Sequence, residues 1–135
     1  MKKKISIVMT SFLAITLLAF VPKISTQDPW KVPDAAKTKP NPTKGDAAAT
    51  LATGKTLYTT HCKSCHGTKG KGDGPKAAQL DTECGDFTKA SFLAQTDGEL
   101  FYKTYEGRKD MPSFKKKITD VHDIWAVVNY MRTLK

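Results

Sequence analysis

The motif Cys62-x-x-Cys65-His66 constrains this chain more than any other feature of its sequence. Two thiols at this spacing can each form a thioether to one edge of the same porphyrin, and the next residue, His66, can then place an imidazole nitrogen on the iron. The motif therefore predicts covalent attachment of one haem c, in which Cys62 and Cys65 hold the macrocycle and His66 is an axial ligand of the iron.

A Cys-x-x-Cys pair also occurs in structural zinc sites and in thioredoxin-like dithiols. Tetrahedral structural zinc needs four ligands, and outside the motif the sequence offers only Cys84, His61 and His122. A redox dithiol needs a βαβ context, and we find no convincing strand in the sequence. Haem attachment is the interpretation that we favour.

Met111 is the candidate for the second axial ligand of the iron. Pro112 follows it, which fixes the backbone there and disfavours helix at Met111. A lone methionine is more often a packing residue than a ligand, but the upstream motif reverses that expectation, and a methionine–histidine pair raises the reduction potential. Met131 is a weaker candidate because it belongs to an apolar helical stripe.

Residues 1–26 have the form of a bacterial export signal. Three lysines at positions 2–4 precede an apolar run over residues 5–21, and Pro22 ends the run. An Ala-x-Ala cleavage pattern is missing and the run is near the lower limit for a membrane span, so a cleaved signal peptide and an uncleaved anchor both remain open. Either alternative predicts export, to the periplasm or to the outer face of the cytoplasmic membrane.

Residues 27–45 are predicted to form an extended tether. They contain four prolines and few apolar residues, and proline removes the backbone donors that helices and sheets need. Trp30 is an exception in this segment. Its ring either packs on the following domain, lies at a membrane interface or is loosely held.

Residues 46–135 are predicted to form an all-α haem domain. Three of its helices begin at residues whose side chains can cap a helix N-terminus, and Glu99 completes a capping box in the second of them. The predicted helices run from Asp46 to Cys62, from the Thr96 cap to Gly107, and from Thr119 or Asp120 to about Leu134.

Two further residues near the haem motif need an interpretation. Pro75 ends a glycine-rich segment, and its carbonyl can accept the hydrogen bond that a metal-bound histidine such as His66 usually donates from its second ring nitrogen. Cys84 lies in the irregular segment that follows. It is either a small, partly buried residue or an exposed thiol that can react or cross-link.

The charge of the chain bears on its partners. The formal charge is +9, and it falls to +5 without the four lysines in and beside the predicted export signal. A modest basic excess favours acidic partner proteins, whereas nucleic acid is a poor alternative because the lysines are scattered and no recognition motif accompanies them. Residues 115–117 are all lysine, and they form either a solvated surface or a docking patch near the haem edge.

A series of motifs follows in a fixed order along residues 46–135. They are Gly54-x-x-x-Tyr58, Cys62-Lys63-Ser64-Cys65-His66-Gly67, Gly70-x-Gly72-x-Gly74-Pro75, Met111-Pro112-x-Phe114, Trp125 and Val128-Asn129-Tyr130-Met131-Arg132. With these motifs the chain resembles the small monohaem c-type cytochromes of class I, the mitochondrial type, as an exported bacterial member.

The resemblance implies a small cytochrome c-like helical domain wrapped around one covalent haem. It implies that the first and last helices cross at Gly54, that Tyr58 meets Tyr130, that the Pro75 carbonyl accepts from the haem-ligand histidine, and that Met111 ligates the iron. Cys84 and the proline-rich tether lie outside the family pattern.

We expect an electron carrier rather than an enzyme. With His66 and Met111 both on the iron, no position is easily open to O₂ or peroxide, which favours electron transfer over oxygen activation. The expected role is one-electron transfer between Fe(III) and Fe(II) in a respiratory chain, through redox partner proteins. Two alternatives stay open: a haem c subunit or domain of a larger oxidoreductase complex, and a haem enzyme or sensor in which Met111 is a labile ligand.

Overall fold

The computed structural model describes residues 28–44 and 47–134. The predicted signal peptide or anchor, residues 1–26, and the predicted helix cap Asp46 lie outside the described residues. In the part of the chain that the structure describes, no helix is both long enough and apolar enough to cross a membrane.

The described chain is helical, which confirms the all-α prediction. Within residues 28–44 and 47–134 there is no strand, and the single bridge of β type joins Arg108 to Met111. The helices are α1 (Asp34–Lys37), α2 (Ala47–His61), α3 (Lys63–His66), α4 (Ala90–Leu93), α5 (Asp97–Glu106) and α6 (Val121–Met131), with a 3₁₀ turn at Ala77–Gln79.

Helices α2 and α6 cross at Gly54, as the resemblance implies. A Cβ atom at Gly54 would lie 2.1 Å from the carbonyl oxygen of Ala126, so only glycine lets the two backbones approach this closely. One turn further along α2, the Tyr58 ring packs on Tyr130 of α6, with ring centroids 5.3 Å apart. This crossing forms one side of the core, in which Trp125, Val127 and other residues of α6 are fully buried.

Local sequence signals set the ends of α5 and α6. The Thr96 side chain accepts from the Glu99 backbone N–H and the Glu99 side chain accepts from that of Thr96, which is the predicted capping box. Gly107 ends α5. Asp120 caps α6 by accepting a hydrogen bond from the His122 N–H. Helix α6 ends at Met131, three residues before the predicted end at about Leu134, and the chain then turns.

The predicted extended tether is wrong for the described part of residues 27–45. Residues 34–37 form α1, and the segment packs along α5 instead of leaving the domain. The Thr96 hydroxyl donates to the Lys37 carbonyl at 2.7 Å, and the side chain of Val32 is buried. Proline limited regular structure as expected, but tertiary contacts with α5 provide the stabilisation that local composition cannot indicate.

Candidate functional site

A cavity of about 600 Å³ lies between the cysteine motif, α5 and the loop that follows it. This volume lies in the usual range for cofactor sites. The two thiols of the motif, the His66 ring and the Met111 side chain all line this cavity. Much of the remaining wall is apolar and is formed by Trp30, Leu80, Phe87, Phe92, Leu100, Pro112, Phe114 and Met131.

The backbone around the motif is fixed by the glycine-rich segment, which folds back over it. The Gly74 and Lys76 N–H groups donate to the carbonyls of Cys65 and Ser64, at 3.1 and 2.9 Å. Gly67, where α3 ends, has φ of +79°, a conformation that residues with a Cβ rarely adopt. The glycines therefore bring the chain close enough to hold the short helix that carries Cys65 and His66.

His66 is in the form that a metal ligand needs. Burial lowers the pKa of His66, with the backbone of Gly85 acting in the opposite direction, so the imidazole is neutral near pH 7. Phe87 packs beside the ring, with centroids 4.6 Å apart. The Nδ1 atom is buried and has no hydrogen-bond partner among the described residues, and such orphaned atoms are rare in native structures.

The predicted hydrogen bond from His66 to Pro75 stays a prediction. Pro75 lies between Gly74 and Lys76, whose N–H groups bond to the motif, so the residue is held beside it. The free Nδ1 atom of His66 is the donor that such a bond needs. Pro75 does not itself line the cavity.

The thiols of the motif differ in their surroundings. Burial, together with the nearby Cys65, raises the pKa of Cys62 to about 12, so this thiol is protonated at neutral pH. Cys65 is partly buried. Cys84 also lines the cavity, and burial together with Cys65 raises its pKa. Cys84 is thus a partly buried residue beside the motif, not an exposed thiol.

The Met111 loop, residues 108–112, is a tight turn. Arg108 and Met111 exchange two backbone hydrogen bonds, of 2.8 and 3.0 Å. The Asp110 carboxylate accepts from the Thr82 N–H at 2.9 Å, which ties the loop to the segment after Pro75. Met111 is half-buried and its side chain contacts the core. Met131 of α6 also reaches the cavity, so the geometry offers two methionine sulfurs.

Comparison with known proteins decides the family. The family model for cytochrome c matches residues 51–135, which is more than half of the chain. The chain belongs to the cytochrome c family. This cytochrome therefore carries covalently bound haem c with iron, as predicted, and transfers electrons through it.

Solved structures agree with this assignment. The cytochrome is similar to the KustC0563 c-type cytochrome, with 31% identity, a TM-score of 0.53 and coverage of 61% of this chain and 96% of that one. A mutant of Kustc0563 gives 28% identity and a TM-score of 0.51, covering 61% and 98% of the two chains. A comparison with curated protein sequences gave no significant match.

A third similar structure is larger. It is described as the Kuenenia stuttgartiensis reducing HAO-like protein complex Kustc0457/Kustc0458, with 25% identity and a TM-score of 0.60. The match covers 81% of this cytochrome but only 52% of that chain, so the cytochrome spans about half of its length.

The residues of the cavity fit a covalent haem. The ring of a buried, neutral His66 and the two thiols of the motif line one cavity, and these are the groups that hold haem c. Two cationic side chains, Lys103 and Arg108, line the cavity as well. Among the described residues neither forms an ion pair with a carboxylate; Lys103 donates to the Gln95 side chain and Arg108 to the Asp28 carbonyl.

Part of this cavity wall could not be predicted from the sequence. Phe87 and Phe92 stack with ring centroids 4.5 Å apart and close one side of the cavity, but nothing in their local sequence distinguishes them from other core residues. Lys103 was missed because a lysine in an amphipathic helix is normally solvated. The only sequence signal at Lys103 is its spacing of four residues from Glu99, and this spacing predicts an ion pair on the helix surface and not a place in a cavity wall.

Proposed function

We propose that this cytochrome is a one-electron carrier, not an enzyme, and that His66 and Met111 fill both axial positions of its iron. The observation that carries the proposal is that both cysteines of the motif, His66 and Met111 line a single cavity. With both positions filled, electron transfer is favoured over binding of O₂ or peroxide. This is a class I, monohaem arrangement.

Each residue of the site has a separate task. The bound haem supplies a one-electron Fe(III)/Fe(II) couple. Cys62 and Cys65 fix the macrocycle covalently, and neutral His66 presents a nitrogen lone pair from a ring oriented by Phe87. The apolar and aromatic wall excludes water, which stabilises the less charged reduced form and raises the reduction potential together with the Met111 thioether.

Lys103 and Arg108 have charges that suit the propionate groups of the haem. Burial lowers the pKa of Lys103, and Arg108 repels it, while Glu99 acts in the opposite direction. Asp28, Glu83 and Asp110 also line the cavity, but neither cation forms an ion pair with a carboxylate of the described residues. Haem carries two carboxylates, and the two cations are the side chains in the cavity wall that would bind them.

The proposed setting is the periplasm, in a respiratory chain. The basic motif at residues 2–4 and the apolar run that follows support export of the chain. The excess of basic residues supports an acidic redox partner. Mass spectrometry of the mature protein tests the setting: a start near Gln27 indicates a soluble shuttle, whereas an intact N-terminus indicates an anchored carrier.

The spectrum of the exported full-length protein tests the proposal. A c-type α-band that appears on reduction, together with a ferrous form that binds no carbon monoxide, is expected for an iron with two protein ligands. Rapid binding of carbon monoxide to the native ferrous protein would contradict the proposal. It would favour a haem enzyme or sensor with a labile Met111.

A role as a subunit of a larger oxidoreductase is a second candidate. It is favoured by the similarity to a chain of a two-component complex that is about twice as long as the matched region. Electron transfer would then take place with a permanent partner. Size-exclusion chromatography of the protein from its native membrane or periplasmic fraction distinguishes the two, because a shuttle elutes at the mass of one chain, which is 14.8 kDa at full length and lower once the export signal is removed.

A further inference from the structure

The segment of residues 28–33, which we call the strap, forms part of the haem cavity although it precedes the matched family region, residues 51–135. Asp28, Pro29 and Trp30 line the same cavity as Met111 and His66. Trp30 is only partly exposed. A piece of chain outside the family pattern therefore completes the wall of the site.

Arg108 connects the strap with the Met111 loop. Its guanidinium donates to the Asp28 carbonyl at 2.9 Å and lies over the Trp30 ring, with Cζ 4.7 Å from the ring centroid. The backbone of Arg108 forms both hydrogen bonds to Met111. Lys103 approaches the same ring, with Nζ 5.7 Å from the centroid. Contacts thus run from Trp30 through Arg108 to Met111.

The strap is firmly attached to the helical domain. Val32 is buried, and α1, which follows the strap, lies so close to α5 that a Cβ at Gly98 would be 2.1 Å from the Ala36 carbonyl oxygen. Further along, the Asn41 side chain donates to Asp97 and to Asn129, at 3.1 and 2.7 Å. These contacts join the segment to both α5 and α6.

The Met111 loop needs such support. Lys109, in the middle of the turn, has φ of +52°, a left-handed conformation that costs a residue with a Cβ energy. Strained residues of this kind persist where the surrounding structure over-determines them. The contact of Trp30 with Arg108 and the bond from Thr82 to Asp110 constrain the two residues that flank Lys109, directly before Met111.

We propose that Trp30 is a positioning residue that latches the Met111 loop through Arg108 and thereby keeps exogenous ligands from the iron. The proposal rests on the proposed function, since it takes Met111 as the ligand that the loop presents. The attraction between the guanidinium and the indole face opposes opening of the turn. Without it, Met111 leaves the iron more often, and small ligands gain access.

Two substitutions of Trp30 separate the latch from simple packing. Trp30→Phe keeps an aromatic face for Arg108, whereas Trp30→Leu keeps apolar bulk without that face. The measurement is the affinity of the oxidised full-length holoprotein for imidazole, followed in its visible spectrum. We expect W30L to bind imidazole roughly two- to tenfold more tightly than the native protein, in line with the loss of one cation–π contact, and W30F to remain close to native.

Lys39→Met is the matched control. The Lys39 ammonium lies 4.5 Å from the Phe101 ring centroid, so this substitution also removes a cation–π contact from the segment before α2, but one that does not involve Arg108. We expect K39M to lower the melting temperature without changing the imidazole affinity. Equal gains of affinity in K39M and W30L would show general loosening and would overturn the latch.

The latch and the proposed function fail in different ways. If native protein shows the methionine-to-iron charge-transfer band and W30L binds imidazole no better than W30F, the latch is wrong and the carrier proposal stands. If the native protein lacks that band, Met111 is not the ligand and both proposals fail. A W30L protein that does not fold is replaced by Trp30→Ile, which also removes the aromatic face; the same increase in affinity is expected, and an unchanged affinity contradicts the latch.

Discussion

Tyr58 links the first long helix of the domain to the haem motif through one buried hydroxyl. Its O–H donates to the Gly67 carbonyl at 2.7 Å, directly after the short helix that carries His66. Burial raises the pKa of Tyr58 well above its usual value, with Tyr130 adding to the effect. The residue therefore holds the motif only in its neutral form.

Removing the hydroxyl tests this role. Tyr58→Phe leaves the buried Gly67 carbonyl with only a longer bond, from the Gly70 N–H at 3.4 Å. We expect the free energy of unfolding to fall by about 0.5–1.5 kcal/mol. Tyr102→Phe, on α5, is the control, with an expected change within about 0.5 kcal/mol. Chemical denaturation of the two holoproteins measures both. Equal effects of the two substitutions would contradict the structural role of the hydrogen bond.

The raised pKa of Tyr58 also predicts a pH dependence of stability. An unfolded tyrosine ionises near pH 10, whereas the folded protein keeps the Tyr58 proton to higher pH, so above about pH 10 the folded state binds more protons than the unfolded state. The stability contribution is therefore complete below that pH and is lost as pH rises. We expect the difference in stability between native and Y58F to shrink between about pH 9 and about pH 11 in denaturant titrations. A constant difference would contradict the assignment.

The sequence predicted the place of some single residues and left that of others open. The position of Met111, before Pro112 and downstream of the haem motif, was enough to predict that it lies near His66, and the structure places both residues in the wall of one cavity. Trp30 could only be given three open interpretations. The structure supports packing on the domain, because Lys103 and Arg108 lie over the Trp30 ring. The sequence could not indicate this packing, because both partners are distant from Trp30 along the chain and only the fold brings them together.

At the scale of elements, the contact of α2 with α6 fixes the framework on which the motif is mounted. Gly54 permits that contact, and it places the end of α2, and hence Cys62, against the core. We expect Gly54→Ala to lower the free energy of unfolding by about 1–3 kcal/mol or more, because the added methyl group overlaps the Ala126 carbonyl and forces the helices apart.

The adjacent exposed residue supplies the control for that prediction. Lys55→Ala also introduces alanine into α2, but on its solvent-exposed face, where we expect the free energy of unfolding to change by no more than about 0.5 kcal/mol. Thermal unfolding followed by circular dichroism compares the two variants. A G54A protein as stable as K55A would mean that the helices can separate without cost.

The sequence predicted elements whose signals are local and missed those that depend on distant contacts. The Thr96–Glu99 capping box and the Asp120 cap gave the starts of α5 and α6 within a residue. Helix α1 was missed because Pro33, Pro40 and a polar composition predict extended chain. Its contacts with Gly98 and Thr96 of α5 were not visible in its own sequence.

At the scale of the whole molecule, surface charge bears on the choice of partner. Residues 115–117 are exposed lysines beside the Met111 loop. Lys115 is paired with Glu106 at 2.5 Å, and Lys117 lies over the Phe114 ring, 5.5 Å from its centroid, so Lys116 is the member most available to a partner. The predicted docking role of this patch stays a prediction.

Reversing one charge tests docking. We expect Lys116→Glu to lower the rate constant for electron exchange with an acidic redox protein roughly three- to tenfold at low ionic strength, with a smaller loss in high salt. Lys55→Glu, the same charge change on α2, should have a much smaller effect. Stopped-flow mixing measures both. Equal effects of the two substitutions would indicate net charge rather than a docking patch.

We propose Met111 as the second ligand of the haem iron, and Met131 in the same cavity supplies the decisive comparison. The near-infrared spectrum of the oxidised holoprotein reports a sulfur ligand directly through its charge-transfer band to iron. Leucine replaces methionine at nearly constant volume, so Met111→Leu and Met131→Leu test the ligand rather than the packing. Ligation by Met111 predicts that the band is present in the native protein and in M131L and is lost in M111L. A band that survives in M111L, or that disappears in M131L alone, would contradict it.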